Sequence, residues 1–226
     1  IRWRLVKLTI MYPTTIVEDF FTDPDAVVEY AENLEYFPAP TGSWPGARSK
    51  HIAELDFNLF QHIGCKIYSL FYPTPPEKWS INMWFQLIRP YNKDKWHPSN
   101  RGWVHRDGQC NFGGIIYLTK DPEEDTGTSI YREKLGHSFQ PENETTIKNN
   151  HYLGHDVSED KLVEAWERNQ SQYLETVKVE NVYNRMVMFN PKVFHSVKTF
   201  GTKPRLTISL FSKGENGSNV YPPLYR

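Results

Sequence analysis

The sequence predicts a mainly β, α+β fold: a double-stranded β-helix of the jelly-roll or cupin-like kind, with an N-terminal helix and one helical insertion. Three observations point there. Short runs rich in β-branched and aromatic residues recur from about residue 50 onward, with turn residues between them. Helical spacing of apolar residues is confined to two stretches, one near the start and one past the middle. The alternating βαβ units of a doubly wound sheet are missing, so a double-sheet β architecture is the simplest arrangement.

The elements follow in order. Residues 5–20 read as a strand entering a turn, anchored by Leu5, Leu8, Ile10, Ile16 and Val17. Thr22-Asp23-Pro24 is a helix start, and Val27, Val28, Ala31 and Leu34 give a helix over 24–35 one apolar face. Residues 38–46 are a loop by their proline and glycine content. Residues 63–72 and 80–88 read as strands, 91–101 as a polar turn and 102–107 as a short extended piece. A strand over 113–118 follows the pair Gly113-Gly114, and an acidic turn at 121–125 precedes a strand at 128–131. Residues 133–157 are polar and irregular. Residues 156–173 are helical, with Asp156 and Glu159 matching a capping box and Leu162, Val163, Trp166 and Tyr173 on the apolar side. Strands resume at 177–182, 186–189, 194–197 and 206–211, and a turn-rich tail over 214–226 is expected to wrap the surface. The span of about 133–180 thus forms an insert within one domain, 1–226.

Composition limits the functional classes. The 226 residues include 26 basic and 27 acidic ones, a balance that argues against nucleic acid as partner. No apolar run approaches a membrane span, and residues 1–13 hold no long apolar stretch of a secretory leader, so a cytoplasmic location is expected. Cys65 and Cys110 match neither zinc spacing nor a disulfide framework and are expected as buried, reduced thiols. A small-molecule or peptide substrate fits this class; oligomeric state, a homodimer included, stays open.

Chemistry concentrates in a few residues. Side chains two apart on a strand share a face, so His105 and Asp107 project together. Alone such a pair is common as a simple hydrogen-bonded couple. His195 stands among apolar residues, where a histidine often serves only packing. Together the three can form two imidazoles and one carboxylate around a divalent iron, with positions left open. Farther on, Leu206, Ile208 and Leu210 alternate with Arg205, Thr207 and Ser209. If that polar face lines a pocket, Arg205 and Thr207 can grip a carboxylate. With iron, Asp107 and a 2-oxoglutarate dianion in place, Arg205 brings the site to neutrality. Tyr117 and Gln86 stand on strands where each could touch a co-substrate or simply pack. Trp84, Trp96 and Trp103 could wall a substrate pocket or fill the core. His97 and Arg48 read as loop residues near a site mouth or in solvent. His151 and His155 are separated by Gly154 in loop-like sequence and make a poor metal pair.

The run His105-x-Asp107, Gly113-Gly114 entering a strand, residues 183–189, His195 and Arg205-x-Thr207 resembles the iron(II)/2-oxoglutarate-dependent oxygenases. Within them it is most similar to the prolyl-4-hydroxylase-like branch of bacteria and phages. The similarity covers residues 80–211. Residues 17–21, the helix over 24–35 and residues 44–48 also resemble the opening of a small uncharacterised subgroup of that branch. The resemblance implies that His105, Asp107 and His195 bind iron and that Arg205, with Thr207 as hydroxyl partner, holds the distal carboxylate of 2-oxoglutarate. It also implies hydroxylation rather than halogenation, because related halogenases replace the carboxylate ligand with a small residue. Two other readings stand beside it: a metal-dependent cupin that works without 2-oxoglutarate, and a non-catalytic jelly-roll binding module with its aromatics as platform. The first lacks the paired His-x-His usual in cupins.

Overall fold

The structure, a computed structural model, describes residues 14–71, 79–108, 110–134 and 142–213. The expected strand positions Leu5, Leu8 and Ile10, and the tail over 214–226, lie outside these residues.

In chain order the elements are β1 (Thr15–Val17), α1 (Pro24–Glu32), β2 (Phe37–Pro38), β3 (Ala47–Arg48), α2 (Ile52–Leu55), α3 (Phe57–Phe71) and β4 (Ser80–Ile88). After a short 3-10 turn at Pro98–Asn100 come β5 (Phe112–Tyr117), β6 (Thr128–Glu133), α4 (Glu142–Tyr152), α5 (Glu159–Ser171), β7 (Tyr173–Val179), β8 (Met186–Phe189), β9 (Phe194–Ser196) and β10 (Arg205–Lys213). Among the described residues the strands form two sheets. The larger runs β1-β8-β5-β10-β4-β3-β2 and the smaller β7-β6-β9, with every pairing antiparallel.

β10 is the axis of the larger sheet. Its register places Thr207 opposite Gln86 on one side and Tyr117 on the other. The alternation in its sequence therefore sorts two surfaces. Leu206, Ile208 and Leu210 face outward into a core with Ile81, Met83, Phe85, Ile116 and Met186. That core is roofed by α1 through Val28 and Ala31 and by α2 and α3 through Ile52, Ile63 and Ile67. Arg205, Thr207 and Ser209 face inward, toward the smaller sheet. There Tyr117, Ile130, Val179, Val187 and Phe189 make a second apolar cluster that bridges the sheets. This is the double-stranded β-helix that the sequence predicts.

Several local expectations are corrected. Of residues 63–72, read as a strand for their aromatic and β-branched content, 63–71 belong to α3 and 72 lies outside the described residues. Leu59, Phe60, Ile63 and Ile67 recur at helical spacing, and Oδ1 of Asp56 accepts from the Leu59 N–H at 2.9 Å, so a cap and an amphipathic period outweigh β propensity. Residues 142–152, expected irregular, form α4. The second helix starts later than 156, with Ser158 at its N-cap making no side-chain capping bond, so the Asp156/Glu159 box does not form. It ends at Ser171, and the strand expected over 177–182 begins instead at Tyr173. Neither cysteine is in a disulfide, but Cys65 is exposed and Cys110 only half-buried, because Cys65 stands on the outer side of α3. No helix among the described residues is long and apolar enough to cross a membrane.

One residue ties the chain entry to the sheet. Asn184 adopts φ +65° and is buried. Its side chain accepts from the Phe21 N–H at 2.8 Å and donates to the Phe21 carbonyl at 2.8 Å. Asn184→Ala strands both backbone groups and keeps a left-handed conformation that alanine disfavours. We expect a loss of about 2–4 kcal/mol, read as a lower urea midpoint with an unchanged slope.

Candidate metal centre

The centre is assembled by main chain. The His105 N–H donates to the His195 carbonyl at 3.1 Å, and the His195 N–H donates to the His105 carbonyl at 2.9 Å. This single antiparallel bridge joins residues from opposite halves of the chain and sets their rings 4.4 Å apart. On its other edge β9 pairs with β6, His195 opposite Ile130. Asp107 follows two residues after His105, and the glycine pair gives it room: a Cβ at Gly113 would lie 3.3 Å from Asp107 Oδ2.

Both imidazoles are oriented in the same way. Nδ1 of His105 lies 2.7 Å from the Trp103 carbonyl, and Nδ1 of His195 lies 3.2 Å from the Val193 carbonyl. A carbonyl only accepts, so Nδ1 carries a proton in each ring and Nε2 is left as the ligand atom. The Nε2 atoms converge on one carboxylate, His195 on Oδ2 of Asp107 at 3.3 Å and His105 on Oδ1 at 3.7 Å. The three ligand atoms all lie within 4.8 Å of one another. Two imidazoles and a carboxylate on one side of a cavity can hold a divalent ion and leave its other side open.

Burial would raise the Asp107 pKa, but His195, His105 and Arg48 outweigh it and hold the carboxyl down at about 2. Burial would lower His195; the charge and hydrogen bond of Asp107 raise it instead. His105, whose side chain is still half exposed at the cavity, is lowered to about 4 by desolvation and by His195. One imidazole of the pair thus favours the proton and the other refuses it.

The three residues stand in a cavity of about 390 Å³ between the sheets. Arg205 lines it and is 5% exposed. Its Nε donates to the Thr126 carbonyl at 2.8 Å, and among the described residues no carboxylate pairs with it. Thr207 and Tyr117 do not reach the wall. Both are fully buried behind Arg205, and the Tyr117 hydroxyl is engaged as donor to Thr128 Oγ1 at 2.7 Å. Gln86 does line the cavity; its Oε1 accepts from Ser209 Oγ at 2.6 Å and its Nε2 donates to the Pro45 carbonyl at 2.8 Å. Of the tryptophans, Trp103 reaches the wall, Trp84 packs against Arg48 and Trp96 is exposed. His97 caps the 3-10 turn and pairs with Glu159 at 3.1 Å, away from the cavity. His151 bonds the Ser99 carbonyl and His155 is exposed, so the two form no metal pair. The residues that sequence reading overlooked are Lys148 and Tyr152 of α4 and Phe200, all cavity-lining. No sequence pattern marks them, since Lys148 and Tyr152 are brought in by tertiary packing of the insert and Phe200 by the segment between β9 and β10.

The fold is that of the iron(II)/2-oxoglutarate oxygenases. HygX from Streptomyces hygroscopicus, with nickel and 2-oxoglutarate bound, superposes with TM-score 0.55 at 9% identity, over 90% of this chain and 83% of that one. An oxidoreductase of the 2OG-Fe(II) oxygenase family from Burkholderia pseudomallei gives TM-score 0.52 at 12% identity, over 92% and 88%. A prolyl hydroxylase from Trichoplax adhaerens, in complex with a hypoxia inducible factor peptide fragment, gives 0.52 at 11% identity, over 89% and 84%. The particular family is given by the match of a family model to residues 2–207: the chain belongs to DUF6445, a family of unknown function. No curated protein sequence matches the chain significantly.

The Asp107–His195 pair makes the metal-free protein pH-sensitive. The Asp107 pKa is depressed from 3.8, so its contribution is present above about pH 4 and lost toward 2. The His195 pKa is raised from 6.5, so its contribution is present below 6.5 and lost as pH rises through the folded value. Asp107→Asn should therefore cost the metal-free protein about 2 kcal/mol between roughly pH 4 and 6.5. The deficit should narrow on both sides in denaturant titrations across pH.

Proposed function

We propose that this protein is a non-haem iron(II)/2-oxoglutarate-dependent dioxygenase that hydroxylates a peptide side chain or a small molecule. 2-Oxoglutarate would be converted to succinate and carbon dioxide. The observation that carries the reading is the convergence of His105 Nε2, His195 Nε2 and Asp107 on one point of a cavity that also holds the unpaired guanidinium of Arg205.

His105, Asp107 and His195 would hold iron(II), and Arg205 would hold the distal carboxylate of 2-oxoglutarate. Bound together, the metal and co-substrate supply the oxidising power that side chains lack. The donor set fits them. Arg205 is a buried charge without a counter-ion, a costly state that a bound carboxylate relieves. The Thr126 carbonyl and the Tyr117 ring, 5.6 Å from the guanidinium carbon, hold its direction. The backbone bridge and the two Nδ1–H bonds preorganise the imidazoles, so little rearrangement accompanies binding. Phe189, with its ring 4.4 Å from that of His195, and Phe200 and Tyr152 on the wall keep water from the reacting centre. The retained carboxylate ligand favours hydroxylation over halogenation. Two unbridged thiols agree with a reducing, cytoplasmic setting.

Anaerobic addition of iron(II) and 2-oxoglutarate should produce the weak visible charge-transfer band of the chelate. His195→Ala should abolish it with far-ultraviolet circular dichroism unchanged. Arg205→Ala should weaken 2-oxoglutarate about 30-fold or more while metal binding persists. A folded wild-type protein without the band would sink the assignment. Metal binding that ignores Arg205 and 2-oxoglutarate would favour the cupin reading, and failure to bind metal the non-catalytic one.

A further inference from the structure

Beyond Arg205, two more cations line the same cavity, and among the described residues neither makes an ion pair; Arg48 feels the Asp107 carboxylate only through space. Arg48 leaves β3 into a box of aromatic rings, its guanidinium carbon 4.3 Å from the Trp44 ring, 5.2 Å from Trp84 and 5.6 Å from Phe211. Its hydrogen bonds go to the neutral amide oxygen of Gln86, at 3.4 and 3.3 Å. The box fixes its plane and shields it from water. Lys148 enters the wall from α4 and makes no hydrogen bond or ion pair with any described residue. Arg106 also lines the cavity, but it is exposed and stacked 3.7 Å over Phe194.

Charge accounting identifies what is missing. Asp107 is the sole carboxylate among the cavity-lining residues. Iron(II), Asp107, the 2-oxoglutarate dianion and Arg205 sum to zero, so Arg48 and Lys148 remain as two uncompensated positive charges. Burial pushes both below their ordinary pKa values, the cost that a ligand anion would remove. The wall is also rich in unanswered donors, since the indole N–H groups of Trp44 and Trp103 are buried without acceptors.

We propose that Arg48 and Lys148 form an anion subsite for the substrate, so that the substrate carries a carboxylate or other oxyanion close to the C–H group that is oxidised. The proposal rests on the functional reading above and assigns its substrate class. Arg48 offers a planar two-pronged donor to the oxyanion, and Lys148 closes over it from the insert. Neutral and cationic substrates would leave both half-buried charges without an anion, which is how the site would reject them.

The test uses protein loaded with nickel(II) and saturating 2-oxoglutarate, so that the metal and Arg205 are already engaged. Sulfate, N-acetylglutamate and its uncharged counterpart N-acetylglutamine amide, in which both carboxylates are replaced by amides, are titrated in turn at constant ionic strength set with chloride. Tryptophan fluorescence reports the box around Arg48. The expected result is a saturable change with sulfate and N-acetylglutamate and none with N-acetylglutamine amide. Arg48→Gln and Lys148→Gln should each weaken that response about tenfold or more, with 2-oxoglutarate affinity unchanged. Lys148→Gln, on the insert, keeps the test available should the Arg48 variant not fold. Loaded protein without an anion-specific response, or variants that respond like wild type, would overturn the proposal. Failure of nickel and 2-oxoglutarate to bind would overturn the functional reading instead. The same titration on unloaded protein then decides the anion subsite by its dependence on Arg48 and Lys148.

Discussion

The mutual pair of backbone hydrogen bonds between residues 105 and 195 is the constraint on which the site depends. Neither imidazole belongs to a long strand that would place it unaided. Residue 105 sits in an isolated bridge, and β9 is only Phe194–Ser196. A slip of one residue at this bridge would turn one imidazole to the opposite face. β6 prevents it by pairing with β9 on the far edge. Side-chain geometry is thus fixed by the least variable interaction available, the main chain, and the imidazoles inherit it.

The same economy shapes the large sheet. β10 separates two environments along every second residue, an aliphatic surface under the helices and a polar one over the cavity. A buried guanidinium on such a strand is tolerable only where the neighbouring strands supply neutral acceptors or leave space for an anion. The Thr126 carbonyl takes one N–H of Arg205. The rest of the guanidinium points to chemistry that the protein itself does not complete.

Much of this was legible in the sequence. The strands over 80–88, 113–118 and 206–211 were readable because period-two alternation and the glycine pair are local signals. His105, Asp107, His195 and Arg205 could be grouped because ligand chemistry and charge neutrality restrict which residues belong together. α3 was misread because its rings and branched residues mimic a strand, although Asp56 and the spacing of Leu59, Ile63 and Ile67 were available. α4 was illegible for a deeper reason: its sequence is polar nearly all round, so its stability comes from where it docks. Arg48 looked like a surface residue because the rings that enclose it, Trp44, Trp84 and Phe211, come from three separate segments. Burial made by long-range contact leaves no local trace.

α4 is attached through Ile147 and Tyr152 to a small apolar cluster of Trp103, Leu162 and Ala165, apart from the main cores. Its contact with the loop before β3 is tight, since a Cβ on Gly42 would fall 2.1 Å from the Asn149 carbonyl oxygen. Trp103 of that cluster also supplies the carbonyl that orients His105, so the wall built by α4 and the candidate ligand set share a foundation. A change in how α4 docks is therefore felt at His105 as well as in the part of the cavity that Lys148 and Tyr152 line.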